Sequence, residues 1–300
     1  MLPKIQNLVS THKITLGLLF IAVLLIGGGF TVYQRFAGSQ NQTPGEEVDL
    51  VFDAEGPYAL LEPRRDGNAL TLNLKRTSSY DSISYELAYT SNVDESVVEG
   101  SKIKDEDSGS EVGSIDRGVV GNIDTKQKRG EYQQEILFGT CSKNVCKYDK
   151  GVENGTLTLH ITKGKQAFRM ITQWHLQQPD VSLGVITSGD SHLIYKTEAK
   201  REELNTTGFV ITNDVTGVPK LPDGKAVSGK VYALNTPTAK TLPSGTVTIE
   251  MAENPSSELK IARYDGAANK WIEMETKIEG SKLTASANGA GIFAVLISGK

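Results

Sequence analysis

Ala69-Leu-Thr-Leu-Asn-Leu-Lys75 and Ser82-Ile-Ser-Tyr-Glu-Leu-Ala-Tyr89 decide the fold class. Side chains along a strand alternate between its two faces. The first run therefore places Leu70, Leu72 and Leu74 together, and the second gathers Ile83, Tyr85, Leu87 and Tyr89. Each stretch reads as a strand with one buried and one open face, the mark of antiparallel sheets. Working outward, Val48–Phe52, Gly118–Ile123, Glu135–Phe138, Gly155–Ile161, Ala167–Leu176 and His192–Tyr195 continue the series. His160 falls on the face opposite Leu157, Leu159 and Ile161 and is expected to be exposed. Thr197–Leu204 has the composition for two helical turns and marks a candidate boundary.

Beyond it a second set follows. Phe209–Ile211, Val227–Leu234, Gly245–Met251, Leu259–Tyr264, Lys270–Met274, Ser281–Ser286 and Gly291–Ile297 are strand candidates. Turn residues at Pro222-Asp-Gly224, Pro243-Ser-Gly245, Asp265-Gly266 and Glu279-Gly280 punctuate them. Short strands at this spacing are the expectation for an immunoglobulin-like sandwich. The reading is all-β: two consecutive antiparallel β-sandwich domains, residues 48–204 and 205–300, behind one N-terminal transmembrane helix.

That helix is Ile14–Tyr33, twenty residues without a charge. At 1.5 Å per residue it would span roughly 30 Å, the thickness of a bilayer's hydrocarbon core. Lys4 and Lys13 precede it, and no acid occurs before Glu46, which keeps residues 1–13 in the cytoplasm under the positive-inside rule. A cleaved secretory signal is the rival reading. Signal cores run to about 15 residues and end at a small-x-small site, whereas here Phe36-x-Gly38 and Arg35-x-Ala37 each begin with a large residue. A prepilin reading of Gly27-Gly-Gly-Phe30 needs the apolar helix after the cut, and here it lies before. A signal-anchor followed by a linker over residues 34–47 is the expectation, with the lipid bilayer as partner through residues 14–33. The rest is expected on the outer side of a cell membrane.

The outer chain, from residue 37, carries all 36 acidic and 29 of the 32 basic residues, a net −7. Nucleic-acid binding needs a concentrated basic face. Lys126-Gln-Lys-Arg129 beside Gly130 reads as a solvated turn, so no nucleic-acid partner is expected. Cys141 and Cys146 are the two cysteines of the chain. Outside the cytoplasm a close pair is expected to oxidise, here as a disulfide across a hairpin tip centred on Ser-Lys-Asn. Free thiols and a redox pair are the alternatives, although the spacing is not Cys-x-x-Cys.

Residues 91–130 break the strand rhythm. The acidic stretch with Asp94, Asp105, Glu106, Asp107 and Glu111 is the candidate contact loop, since loops on rigid sandwiches commonly carry binding. Its carboxylates are also hard oxygen ligands of the kind Ca²⁺ takes, without the spacing of an EF-hand.

The order Leu259-x-Ile-x-x-Tyr-Asp265, Trp271, Glu-Gly280 and Gly291-Ile-Phe-Ala294 resembles the closing segment of β-sandwich modules in bacterial surface proteins. Tyr85-Glu-Leu-x-Tyr89, Gly118-Val-Val-Gly121 and Phe138-Gly-Thr-Cys141 resemble fibronectin type III-like domains of membrane-anchored bacterial proteins. These resemblances imply a non-catalytic stalk, adhesion or display module. On the residues alone, Tyr264, Trp271 and Phe293 read as core aromatics, with a carbohydrate-stacking role for Trp271 or Trp174 as the alternative.

Catalytic signatures are sparse. In the outer chain, after residue 33, the histidines are His160, His175 and His192, and no Gly-x-Ser-x-Gly elbow or phosphate loop accompanies them. The expectation is a membrane-anchored binding module without catalytic residues, cofactor or metal, recognising an extracytoplasmic protein or glycan. The alternative is an envelope enzyme or metal-dependent sensor on the same sheets, which would need the three histidines to converge.

Overall fold

In the computed structural model the described residues are 47–50, 52–92, 114–125, 130–143, 145–178, 184–204, 208–237, 241–255 and 258–299. The candidate span 14–33 lies outside them, as do Asp94, Asp105, Glu106, Asp107 and Glu111. Among the described residues no helix is long and apolar enough to cross a membrane.

Among the described residues, twenty strands and one helical turn follow in chain order. They are β1 (Val48–Asp49), β2 (Tyr58–Pro63), β3 (Ala69–Lys75), β4 (Ser82–Asn92), β5 (Ser114–Ile123), β6 (Glu131–Leu137), β7 (Gly139–Ser142) and β8 (Val145–Tyr148). Next come β9 (Asn154–Lys163), β10 (Gln166–Gln177), β11 (Val185–Thr187), β12 (Leu193–Thr197), α1 (Arg201–Leu204), β13 (Phe209–Asn213) and β14 (Lys225–Asn235). The chain ends with β15 (Ser244–Glu250), β16 (Lys260–Asp265), β17 (Lys270–Glu273), β18 (Thr276–Glu279), β19 (Lys282–Asn288) and β20 (Gly291–Ser298). The all-β expectation holds. The 197–204 segment makes one helical turn rather than two, and β5 begins at Ser114, pairing with β4 along its whole length.

Ten strands form one sheet in the order β17-β16-β20-β14-β13-β10-β9-β4-β5, with β1 beside β10. Two smaller sheets lie against it, β2-β3-β6 and β11-β12-β15-β19-β18, and β7-β8 is a separate hairpin. The alternation read from the sequence explains the first core. Leu70, Leu72 and Leu74 of β3 meet Ile83, Tyr85 and Leu87 of β4, Leu157, Leu159 and Ile161 of β9, and Trp174 of β10. A second core joins Tyr195 of β12, Val247 of β15 and Leu283 of β19 to Ile211, Tyr232, Ile261 and Phe293 of the large sheet.

The boundary expected at Leu204 falls inside this shared framework. β10 pairs with β13 from Gln173↔Asn213 to Gln177↔Phe209, and β12 pairs with β15 from Leu193↔Ile249 to Thr197↔Gly245. β11 and β12 thus serve the second core although they precede the boundary. The physical reason lies on β10, whose inner edge is split. Phe168 and Arg169 take β1, leaving residues 173–177 open to β13.

A third core covers the other face of the second half of the large sheet. Val231 and Ala233 of β14, Ala262 of β16, and Ile292, Ala294 and Leu296 of β20 pack beneath Val215, Val218 and Tyr58. Gly217 lies within this cover, against residues 53–57. A Cβ there would lie 2.7 Å from the Gly56 carbonyl oxygen and 2.9 Å from that of Pro57, so two backbones meet with no room for a side chain.

Candidate ligand-binding groove

A groove of about 860 Å³ opens where the corner of β2 and β3 faces the ends of β14, β16 and β20. Tyr58, Leu60 and Glu62 come from β2, Lys75 and Arg76 from the end of β3, and Glu131 from β6. The facing wall is built by Asn235 at the end of β14, Tyr264 and Asn269 from the β16–β17 hairpin, and Ala290, Gly291 and Ile292 at the start of β20. A second hollow of about 540 Å³ adjoins it, sharing Lys220, Tyr264 and Asn269 and adding Trp271.

Local chemistry fixes each wall. Asp265 begins the hairpin turn, and its Oδ1 accepts the N–H groups of Ala267 and Ala268, as Asp does in tight turns. Asn269 then takes φ 51°, a left-handed conformation that Asn tolerates, and its Oδ1 accepts the Tyr264 hydroxyl. Tyr264 meets Trp271 edge-on at 5.5 Å between ring centres. The Trp271 indole N–H donates to the Lys220 carbonyl at 3.1 Å. Arg263, buried behind this wall, donates to the Ala290 carbonyl at 2.8 Å and pairs with Asp265 at 3.0 Å. Gly291 is required at the corner, because a Cβ would lie 2.4 Å from the Tyr264 carbonyl oxygen and φ is +148°.

On the opposite wall Arg76 has φ 60°, uncommon outside glycine. That turn sends its guanidinium back over the Tyr58 ring at 5.4 Å and onto the Ala54 carbonyl. Burial pushes the Tyr58 phenol above its ordinary pKa, with Arg76 pulling the other way. Lys75 holds Glu131 at 2.9 Å. The Asn235 amide donates to the Leu61 carbonyl at 2.9 Å, tying the two walls together. The groove therefore presents aromatic surface, planar amides and charges of both signs. That suits retention of a polar ligand by contact and hydrogen bonding.

Cys141 and Cys146 form a disulfide, directly opposed across β7 and β8. The hairpin is exposed and stands outside the groove; Phe138, just before it, stacks on Trp174 at 5.7 Å in the first core. At its base Asp149 accepts the Tyr89 hydroxyl at 2.9 Å, and burial together with that bond pushes the Tyr89 phenol up to about 12.

The three histidines stay apart in their bonding. His160 Nδ1 lies 2.8 Å from Glu47 Oε1, and His175 Nδ1 lies 2.8 Å from Asn154 Oδ1. His192 donates its backbone N–H to Asp190. Burial lowers the His175 pKa, with Glu153 opposing. Among the described residues no group of three His, Cys, Asp or Glu side chains could hold a metal ion.

Phe293 is buried as expected, and Trp174 is buried too. Tyr264 and Trp271 are half-buried and pack against the edge of the third core; Tyr264 lines the groove, and both line the adjoining hollow. Their strands β16 and β17 lie at the end of the large sheet. Tyr58, Arg76, Asn235 and Asn269 had no sequence signal of their own.

No family model matches the chain, and no curated protein matches it. A solved two-domain protein of unknown function from Bacteroides fragilis is 10% identical over 81% of this chain and 87% of its own, with a TM-score of 0.16. That likeness is too slight to support a conclusion about fold or function.

Proposed function

We propose that this chain is a non-catalytic binding module of the cell envelope. It is held by a single span over residues 14–33, with its N-terminus in the cytoplasm and its β-rich remainder outside. In this reading the remainder comprises two immunoglobulin-like sandwiches that share a sheet. The groove between the β2–β3 corner and the β16–β17 hairpin captures an extracytoplasmic partner. The observation that carries the binding role is the groove itself: a concave, aromatic and amide-lined surface whose walls come from strands of both cores. The charge-free run with Lys4 and Lys13 before it supports the anchor, and the Cys141–Cys146 disulfide suits an oxidising compartment.

Fractionation of a bacterium producing the full chain tests the anchor and its orientation. The protein should stay with membranes through alkaline carbonate extraction, and protease added outside spheroplasts should remove the C-terminal portion. Release by carbonate, or protection of the C-terminal portion, would contradict the reading.

A further inference from the structure

We propose that the groove and the hollow adjoining it bind a neutral oligosaccharide, with a sugar ring seated on the Tyr264–Trp271 pair in the hollow. This rests on the reading of the chain as a binding module and gives that module its ligand class. The aromatic donors are already spent inside the protein. The Trp271 N–H goes to the Lys220 carbonyl and the Tyr264 hydroxyl to Asn269 Oδ1, so both residues offer ring surface rather than hydrogen bonds. Proline-rich peptides dock in aromatic-lined grooves as well, but there the indole N–H is the natural donor to a peptide carbonyl, and here it is occupied.

The amides complete the argument. Asn235 uses Nδ2 on the Leu61 carbonyl, which leaves its Oδ1 as an acceptor; Asn269 uses Oδ1 on Tyr264, which leaves its Nδ2 as a donor. A sugar hydroxyl both donates and accepts, so it can bond to either amide. Charge at the groove is mixed, with Lys75 held on Glu131 and Arg76 folded onto Tyr58 and the Ala54 carbonyl. No concentrated field of one sign selects a phosphate or a polyanion. A volume of about 860 Å³ exceeds what a single sugar ring fills and suits several rings in a row. Arg76 is held on the Tyr58 ring and the Ala54 carbonyl, and Asn269 on the Tyr264 hydroxyl, before any ligand arrives, which reduces the ordering that binding must supply.

The test uses the full chain in lipid nanodiscs on an array of neutral oligosaccharides of three or more rings. At least one should bind, and titration with it should change Trp271 fluorescence. An aromatic contact of this kind makes Trp271→Ala weaken binding by roughly tenfold, while Trp271→Phe keeps affinity within about threefold. Unchanged emission from buried Trp174 shows that each variant is folded. Binding to no oligosaccharide on the array, or binding indifferent to Trp271→Ala, overturns the proposal. Capture of a proline-rich peptide instead, with the same dependence on Trp271, also overturns it but leaves the binding-module reading standing. The envelope anchoring in that reading fails separately, by release of the chain in the fractionation experiment.

Discussion

The two halves of the ten-stranded sheet are built from the same kind of strand and treated differently by the rest of the chain. In the half made of β4, β5, β9 and β10, one face forms the first core and the other is open among the described residues, with Thr90, Ile171 and Gln173 exposed there. In the half made of β13, β14, β20 and β16, both faces are buried: Tyr232 and Phe293 look into the second core, Ala233, Ile292 and Ala294 into the third. The cause is the segment carrying Val215, Val218 and Leu221, which crosses the outer face together with residues 52–60. The Asp53 N–H donates to the Thr216 carbonyl at 2.8 Å and locks that crossing. A strand's second face is thus set by what the loops do. The groove forms at the margin of the cover, where Tyr58 belongs to the covering layer and Tyr264 to the sheet beneath it.

Placing a charge on each half breaks the comparison most sharply. Ala294→Asp buries a carboxylate in the third core and should destabilise the chain by more than about 4 kcal/mol, or prevent folding. Ile171→Asp puts the same group on the open face and should change stability by no more than about 1 kcal/mol in urea unfolding. Similar losses at both sites would mean that the open face is covered.

Gly217→Ala wedges the crossing segment away from residues 56 and 57. It should lower stability by about 2–3 kcal/mol and loosen Tyr58, read as faster amide exchange over residues 52–60. The disulfide is a smaller lever, because Cys141 and Cys146 are exposed and belong to none of the three cores. Replacing both by Ser should remove about 2 kcal/mol or less and leave the strand content unchanged by circular dichroism.

Acid gives the mildest perturbation. Arg64 beside Asp66 holds that carboxyl down at about 2, burial working against it. Burial alone would raise Asp190, but bonds from Ser188, the His192 N–H and Lys230 prevail and lower it. Both native values lie below the unfolded value near 3.8, so their stabilisation is fully present above that pH and fades as pH falls through the native values. The share of half-exposed Asp66 is reduced by solvent screening. Urea midpoints measured from pH 5 to pH 2 should fall, and Asp190→Asn should flatten the fall.

Alternation made β3, β4, β9 and β10 legible because one face of each meets water. It failed at β2: Ala59 and Leu61 enter the first core while Tyr58 and Leu60 pack into the third, so both faces are apolar and no period of two survives. The run Gly291-Ile-Phe-Ala-Val-Leu-Ile297 is apolar without alternation. A continuous apolar strand is one buried on both faces, which a free-standing sandwich with one solvated side would not require. The disulfide was legible because its partners are close in sequence. The groove was not, since Arg76 and Asn269 meet through pairings such as β10–β13 that connect distant parts of the chain. The shared sheet was missed for the same reason, because hydrophobic spacing tells which face of a strand is buried and not which strand lies beside it.

The central claim is that one sheet serves the first and second cores, so that they stand or fall together. Urea unfolding of the full-length Trp271→Phe variant tests it, followed at once by Trp174 fluorescence, which reports the first core, and by far-ultraviolet ellipticity, which reports every strand. The account predicts coincident curves with a single midpoint. Two steps in ellipticity, with Trp174 following only one of them, would contradict it and return the chain to two independent sandwiches.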